Sequence, residues 1–146
     1  DYIPILVSEE FVEDHLVDRY VHIIGTLRYY GKKQIPDKRL LVYVEFMEVE
    51  KYRRPKDINR IVISGILESA PVFRITKSER KITDLSILVK RRYWTFDYIP
   101  TIVWGRNAEF AKNFGIGDHI KLIGTIQSRQ INNKSIINVS GASIMK

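Results

Sequence analysis

The sequence contains no cysteine, which excludes disulfides and thiolate metal sites. Its three histidines, His15, His22 and His119, are scattered and have no carboxylates at metal-ligand spacing. No apolar run approaches the ~18 residues of a membrane helix, and no signal-peptide pattern is present. The phosphate-cradling glycine loop is missing too, because Gly115-Ile116-Gly117 is too short for either nucleotide fingerprint. Neither a nucleophile elbow nor an HExxH helix occurs. Catalysis therefore has no support, and no enzyme activity, cofactor, metal or membrane partner is expected.

What the chain does have is charge, and it is unevenly spread. Its 146 residues are 45% hydrophobic and 28% charged, an ordinary balance for one medium domain or two small ones. The formal net charge is +7. Residues 1–58 hold ten Lys/Arg against eleven Asp/Glu, a net of −1, and residues 59–146 hold fourteen against six, a net of +8. A basic half beside a neutral one points to a polyanionic partner. Eight Tyr, six Phe and two Trp supply flat side chains that could stack on bases.

A repeat organises the chain. DYIPILV (residues 1–7) matches DYIPTIV (97–103) at five of seven positions. Beyond a three-residue difference, Glu10-Phe11 lies over Glu109-Phe110, and Ile24-Gly25-Thr26 over Ile123-Gly124-Thr125. Each copy reads as a strand, a short helix and a long strand containing a glycine. In the second copy Tyr98–Trp104 is strand-like, and Asn107–Phe114 is a helix with Phe110 and Phe114 on its apolar, core-facing side. Strands are expected over His119–Arg129 and Ser135–Ile144, with Asn132-Asn133 as the turn between them. In the first copy Glu9–Val17 is the helix, Val21–Tyr30 the long strand, Gly31–Lys38 a hairpin loop and Leu40–Glu50 the closing strand.

The second copy is preceded by a strand over Arg60–Leu67, a turn at Pro71-Val72-Phe73-Arg74 and a strand over Thr83–Tyr93. Five strands with a helix between the third and fourth is the layout of an OB-fold barrel. The expected fold is therefore all-β with short helices: two OB-fold barrels in tandem, the first lacking its leading strands. Residues 1–50 form that partial barrel, 51–58 a linker with four basic residues and a proline, and 59–146 a complete barrel. By the repeat, ~40 residues carrying two strands would precede Asp1, and the absent initiator methionine agrees with that.

The motifs of residues 59–146 resemble the bacterial single-stranded DNA-binding protein (SSB) family and its primosomal relative PriB. Asn59-Arg60-Ile61-Val62-Ile63-Ser64-Gly65-Ile66-Leu67 resembles the family's opening strand, and Pro71-Val72-Phe73-Arg74 its following turn. Leu85-Ser86-Ile87-Leu88-Val89-Lys90-Arg91-Arg92-Tyr93, Asp97-Tyr98-Ile99-Pro100 through Val103-Trp104-Gly105, Gly117-Asp118 and Gly124-Thr125-Ile126-Gln127-Ser128-Arg129 follow in the family's order. Residues 1–50 match more weakly, and the family's acidic-aromatic tail tip has no counterpart before Lys146. The resemblance implies non-sequence-specific binding of single-stranded DNA in replication, recombination or repair, in the cytoplasm at the nucleoid. It also implies assembly, here a homodimer presenting four barrels, and contacts with replication or repair proteins. A primosome-type accessory or protein-interaction barrel and an RNA-binding OB module are the alternatives.

Single-strand binders need cations along a groove and aromatic faces for stacking. Lys90, Arg92, Tyr93 and Trp94 lie where the second strand of the complete barrel runs into its loop. Trp104 ends the third strand, where the resemblance places a stacking aromatic, and Arg106 follows it. Phe73 and Arg74 stand in the preceding turn, followed by Lys77, Arg80 and Lys81. Lys121 and Arg129 lie eight residues apart on the fourth strand and would share a face. The first copy has Ser8 where the second has Trp104, followed by Glu9, Glu10, Glu13 and Asp14. It is expected to bind weakly through Arg28, Tyr29 and Tyr30, or to serve in assembly.

Overall fold

The computed structural model describes residues 2–12, 16–30, 40–51, 57–131 and 134–146. The chain divides into two compact units, Ile3–Ile58 and Asn59–Lys146. The expected loops at Gly31–Lys38 and Asn132-Asn133, and most of the expected linker, lie outside the described residues.

In the first unit β1 (Ile5–Leu6), β2 (Val21–Tyr29) and β3 (Leu40–Val49) form a three-stranded sheet. β3 lies in the middle, parallel to β1 and antiparallel to β2. Runs of β-branched and aromatic residues, such as Leu41-Val42-Tyr43-Val44, favour these extended segments. Leu27, Leu40, Leu41 and Val44 are the buried apolar residues among its described ones. Of the helix expected over Glu9–Val17, whose residues 13–15 lie outside the described residues, the described part shows one 3-10 turn, Glu9–Phe11. Val12 is already extended (φ −85°, ψ 115°), and Leu16 and Val17 are not helical.

The second unit is a closed barrel. β4 (Ile61–Leu67), β6 (Lys81–Lys90), β7 (Phe96–Trp104), β8 (His119–Ile131) and β9 (Lys134–Met145) pair in the order β4-β8-β9-β7-β6, and β6 returns to β4. The β7–β9 pairing is parallel and the others are antiparallel, which is the OB-fold arrangement. The expected turn at Pro71–Arg74 instead contains a short strand, β5 (Val72–Ile75), hydrogen-bonded to the outer edge of β6. Alternate residues point inward: Ile63 and Leu67 from β4, Leu85 and Ile87 from β6, Ile99 and Val103 from β7, and Ile120 and Leu122 from β8 are all buried. The Asn59 side chain extends the β4–β8 ladder, accepting from the Ile126 N–H at 3.0 Å and donating to the Ile126 carbonyl at 2.8 Å.

Helix α1 (Arg106–Ala111) is shorter than the expected Asn107–Phe114. It is tied to the barrel by the buried Thr83 hydroxyl, which donates to the Ala108 carbonyl at 2.7 Å. Ala108, Ala111 and Phe114 are buried against it, but Phe110 is 49% exposed and meets Phe114 edge-on. The expectation of Phe110 as core is corrected: the last turn of so short a helix has only one covered side.

The two units share an internal geometry. β1-β3-β2 repeats the pairings of β7-β9-β8, parallel then antiparallel. Both antiparallel ladders shift register at the same repeat position, between Ile24 and Gly25 and between Ile123 and Gly124. A Cβ at either glycine would strike a facing backbone carbonyl, that of Tyr43 or that of Ser140. This close approach at the bulge requires glycine and explains the recurring Ile-Gly-Thr.

Candidate nucleic-acid interface

The candidate residues sit mainly on the β6–β7 hairpin. Along it, Phe96, Tyr98, Pro100, Ile102 and Trp104 occupy one face of β7, opposite Lys90, Leu88, Ser86, Asp84 and Ile82 of β6. Arg74 of β5 joins the same face opposite Ile82.

At one end of the hairpin is its turn. The Arg91 N–H donates to the Thr95 carbonyl at 2.6 Å, leaving Arg92, Tyr93 and Trp94 between them. Tyr93 (φ 59°) and Trp94 (φ 62°) both lie in the left-handed region, where side chains other than Gly, Asn and Asp are rare. They are 88% and 81% exposed, and the Lys90 ammonium lies 4.9 Å from the Trp94 ring centre. The turn is anchored from below: the Arg91 guanidinium pairs at 2.7 Å with Asp97, which is 1% exposed on the inward face of β7. That pair accounts for the Asp of the second DYIP.

At the other end, eight residues beyond Phe96 or roughly 26 Å along an extended strand, stands half-buried Trp104. The Arg80 guanidinium carbon sits 4.6 Å above its ring centre. Glu79, Arg80, Lys81, Trp104 and Gly105 line an open hollow of about 370 Å³. Lys81 and Lys112 both reach Glu109, at 2.8 and 2.6 Å, and these contacts lower its carboxyl to about 2. Lys112 also lies 4.9 Å from the centre of the Phe73 ring, which is half-buried. Arg106 is exposed just past Gly105.

Trp104 thus has the Arg80–Lys81 pair beside it and Arg106 two residues on, while Lys90, Arg92, Tyr93 and Trp94 gather at the other end. Phe73, opposite Thr83, faces α1 on the other side of the sheet from Trp104. Arg74 is engaged differently from a free phosphate ligand: its Nε donates to Asp84 at 2.8 Å, which raises its pKa. Lys121 and Arg129 do not come together. Lys121 is exposed where β8 lies between Ser64 and Met145, and Arg129 is half-buried roughly 26 Å farther along, opposite Ile136, past the end of the β4 ladder. Tyr98 was not among the candidates, although it is 42% exposed on the face of Trp104, between the two ends. Its even spacing from Trp104 in a strand was the signal that could have found it.

In the first unit, the Arg28 guanidinium lies 4.8 Å above the Tyr43 ring. No group of three or more His, Cys, Asp or Glu able to hold a metal occurs among the described residues, and no described helix is long and apolar enough to cross a membrane.

Comparison with known proteins gives a consistent result. The model of the single-strand binding protein family matches residues 58–145. A single-stranded DNA-binding protein of Caldanaerobacter subterraneus subsp. tengcongensis is 30% identical over 79 residues, covering 49% of this chain and 53% of its own length. The chain therefore spans about half of that curated relative. Wild-type single-stranded DNA binding protein from Thermus aquaticus superposes with a TM-score of 0.70 at 20% identity, over 86% of this chain and 58% of its own. A deletion mutant of the same protein gives 0.75, also at 20% identity, over 86% and 59%. At that identity the likeness is one of fold. The N-terminal domain of PriB from Thermoanaerobacter tencongensis, a dimer, gives 0.51 at 25% identity over 60% of this chain and 93% of its own.

Proposed function

Since the chain belongs to the single-strand binding protein family, we propose that it binds single-stranded DNA without sequence preference, as a binding protein and not an enzyme. The observation that carries this reading is the outward face of the β6–β7 hairpin. It carries Tyr98 and Trp104, with Trp94 beside Lys90 at its turn and Arg80 over Trp104, and exposed Arg92 and Arg106 follow at its two ends, in the half of the chain with a net charge of +8. Bases stack on such rings at ~1–3 kcal/mol each, a range established on single-strand binders as a class, and cations follow the phosphates. Phe73 on the α1 side and Lys121 and Arg129 on β8 lie off this path, and Arg74 reaches it only by giving up Asp84.

The first unit is read as part of a second barrel. Its β1-β3-β2 pairings and its bulge glycine repeat those of β7-β9-β8. The Thermus aquaticus matches also cover more of the chain than the second unit alone could supply. Two barrels per chain, in a homodimer, would present four to one strand, and the dimeric PriB domain supports association between barrels of this kind. The first unit then contributes chiefly to assembly, since Ser8 replaces its tryptophan. Roles in replication, recombination and repair, with the partner proteins they entail, follow from the family. The PriB likeness favours a second reading, a primosomal accessory in which protein contacts dominate.

Titration with oligo(dT) while following tryptophan fluorescence tests the proposal. Quenching that weakens with salt is expected. Absence of quenching at any salt concentration would leave the accessory reading in its place.

A further inference from the structure

The Trp104 face that a base would use is already occupied, by Arg80. Among the charged side chains around Trp104, most have a carboxylate: Arg74 has Asp84, and Lys81 and Lys112 share Glu109. Arg80 has none within ion-pair distance among the described residues, and its guanidinium rests 4.6 Å above the indole.

The backbone beneath Arg80 is fixed while its side chain is exposed. In the β5–β6 turn the Thr76 N–H donates to the Arg80 carbonyl at 2.9 Å, and the Glu79 N–H to the Thr76 carbonyl at 2.9 Å. The Arg80 N–H donates to the Thr76 hydroxyl at 3.1 Å. Glu79 takes a left-handed conformation (φ 64°) that turns the chain back beside Trp104. The result is a rigid post with a long, cationic arm over the ring, at the rim of the 370 Å³ hollow.

We propose that Arg80 is an exchangeable cap on Trp104: an incoming base displaces the guanidinium, which then pairs with the phosphate of the same strand. This rests on the single-strand-binding reading and deepens it by naming what covers the site in the free protein. An exposed cation–π contact is a weak hold. A stacked base and a fork-shaped guanidinium–phosphate pair are each stronger, so the exchange runs toward the bound state. The cap also keeps the half-buried indole from presenting a bare apolar face to other molecules when no strand is bound.

The test uses the intact chain with Trp94→Phe, which leaves Trp104 as the only tryptophan. Adding Arg80→Ala should raise acrylamide quenching of the free protein about twofold, because one of two ring faces is uncovered. It should also lower the salt slope of log affinity for oligo(dT) by about 0.7, the loss of one phosphate contact on a single strand. Unchanged quenching in the free protein overturns the cap. Raised quenching with an unchanged slope overturns the transfer to phosphate, while oligo(dT) binding itself leaves the function standing. If the wild-type chain binds no oligo(dT), the functional reading fails and the exchange fails with it, whatever the quenching shows.

Discussion

Replacing the hairpin tip with Tyr93→Asn and Trp94→Gly should make the protein more stable and a poorer DNA binder. Two non-glycine residues at φ 59° and 62° each bear ~1–2 kcal/mol of left-handed strain. Within this three-residue loop, Asn and Gly are the residues that most readily accept the positive φ found at its second and third positions. Glycine gives back ~0.5–1 kcal/mol through the freedom of the unfolded chain. Loss of the Lys90–Trp94 contact costs another ~0.5–1 kcal/mol. The net gain is about 1 kcal/mol, which for a unit of this size raises Tm by roughly 4–8 °C. Both rings are more than four-fifths exposed and bury almost nothing in the free protein, so no core contact offsets that gain. If one base stacks at the tip, losing ~1–3 kcal/mol weakens affinity roughly 5- to 150-fold. Thermal unfolding by circular dichroism and anisotropy of labelled oligo(dT) read the two effects separately. A Tm below wild type would refute the strain, and an unchanged affinity would remove the tip from the interface.

Other substitutions probe the remaining parts. Trp104→Ala should weaken oligo(dT) binding roughly 5- to 150-fold by the same stacking range, in anisotropy titrations at fixed salt, and should lower Tm by losing a half-buried ring and its Arg80 contact. Thr83→Val removes the buried hydrogen bond to the Ala108 carbonyl and should cost about 0.5–1.5 kcal/mol in urea unfolding, because that carbonyl loses its side-chain donor but keeps the Lys112 N–H. Gly124→Ala places a Cβ against the Ser140 carbonyl at the β8–β9 bulge and should cost at least ~1–3 kcal/mol. For Glu109, the native carboxyl is lowered to about 2 by Lys112 and Lys81, so its stabilisation is present above the ordinary carboxylate range and lost as pH falls toward 2. Glu109→Gln should therefore lower Tm slightly at pH 7 and not at pH 2, and the difference should shrink with salt, since these groups face solvent.

The strands of the second unit were legible because inward residues alternate with outward ones, as at Thr83, Leu85 and Ile87. The repeat was legible because a bulge demands glycine in the same place twice, at Gly25 and Gly124. The helix at Glu9–Val17 misled because its acidic and apolar spacing matches α1, yet α1 is held by Thr83 from a strand with no counterpart among the described residues of Ile3–Ile58. Tertiary anchoring, not local pattern, decided its length. β5 escaped notice because four residues are too few for periodicity, and only pairing with β6 makes them a strand. The site was partly legible by residue type: Trp94, Trp104 and Lys90 stand on the proposed path. That Arg74 is engaged by Asp84, or that Arg80 covers Trp104, depends on cross-strand geometry that composition does not carry.

The central claim is that a single strand follows the outward face of the β6–β7 hairpin between Trp94 and Trp104. Photocrosslinking with oligo(dT) carrying 5-iodouridine, followed by peptide mapping on the intact chain, tests it directly. The account predicts crosslinks at Trp104 and at Tyr98 or Trp94. Crosslinks confined to Ile3–Ile58, or to Lys121 and the far arm of β8, would contradict it.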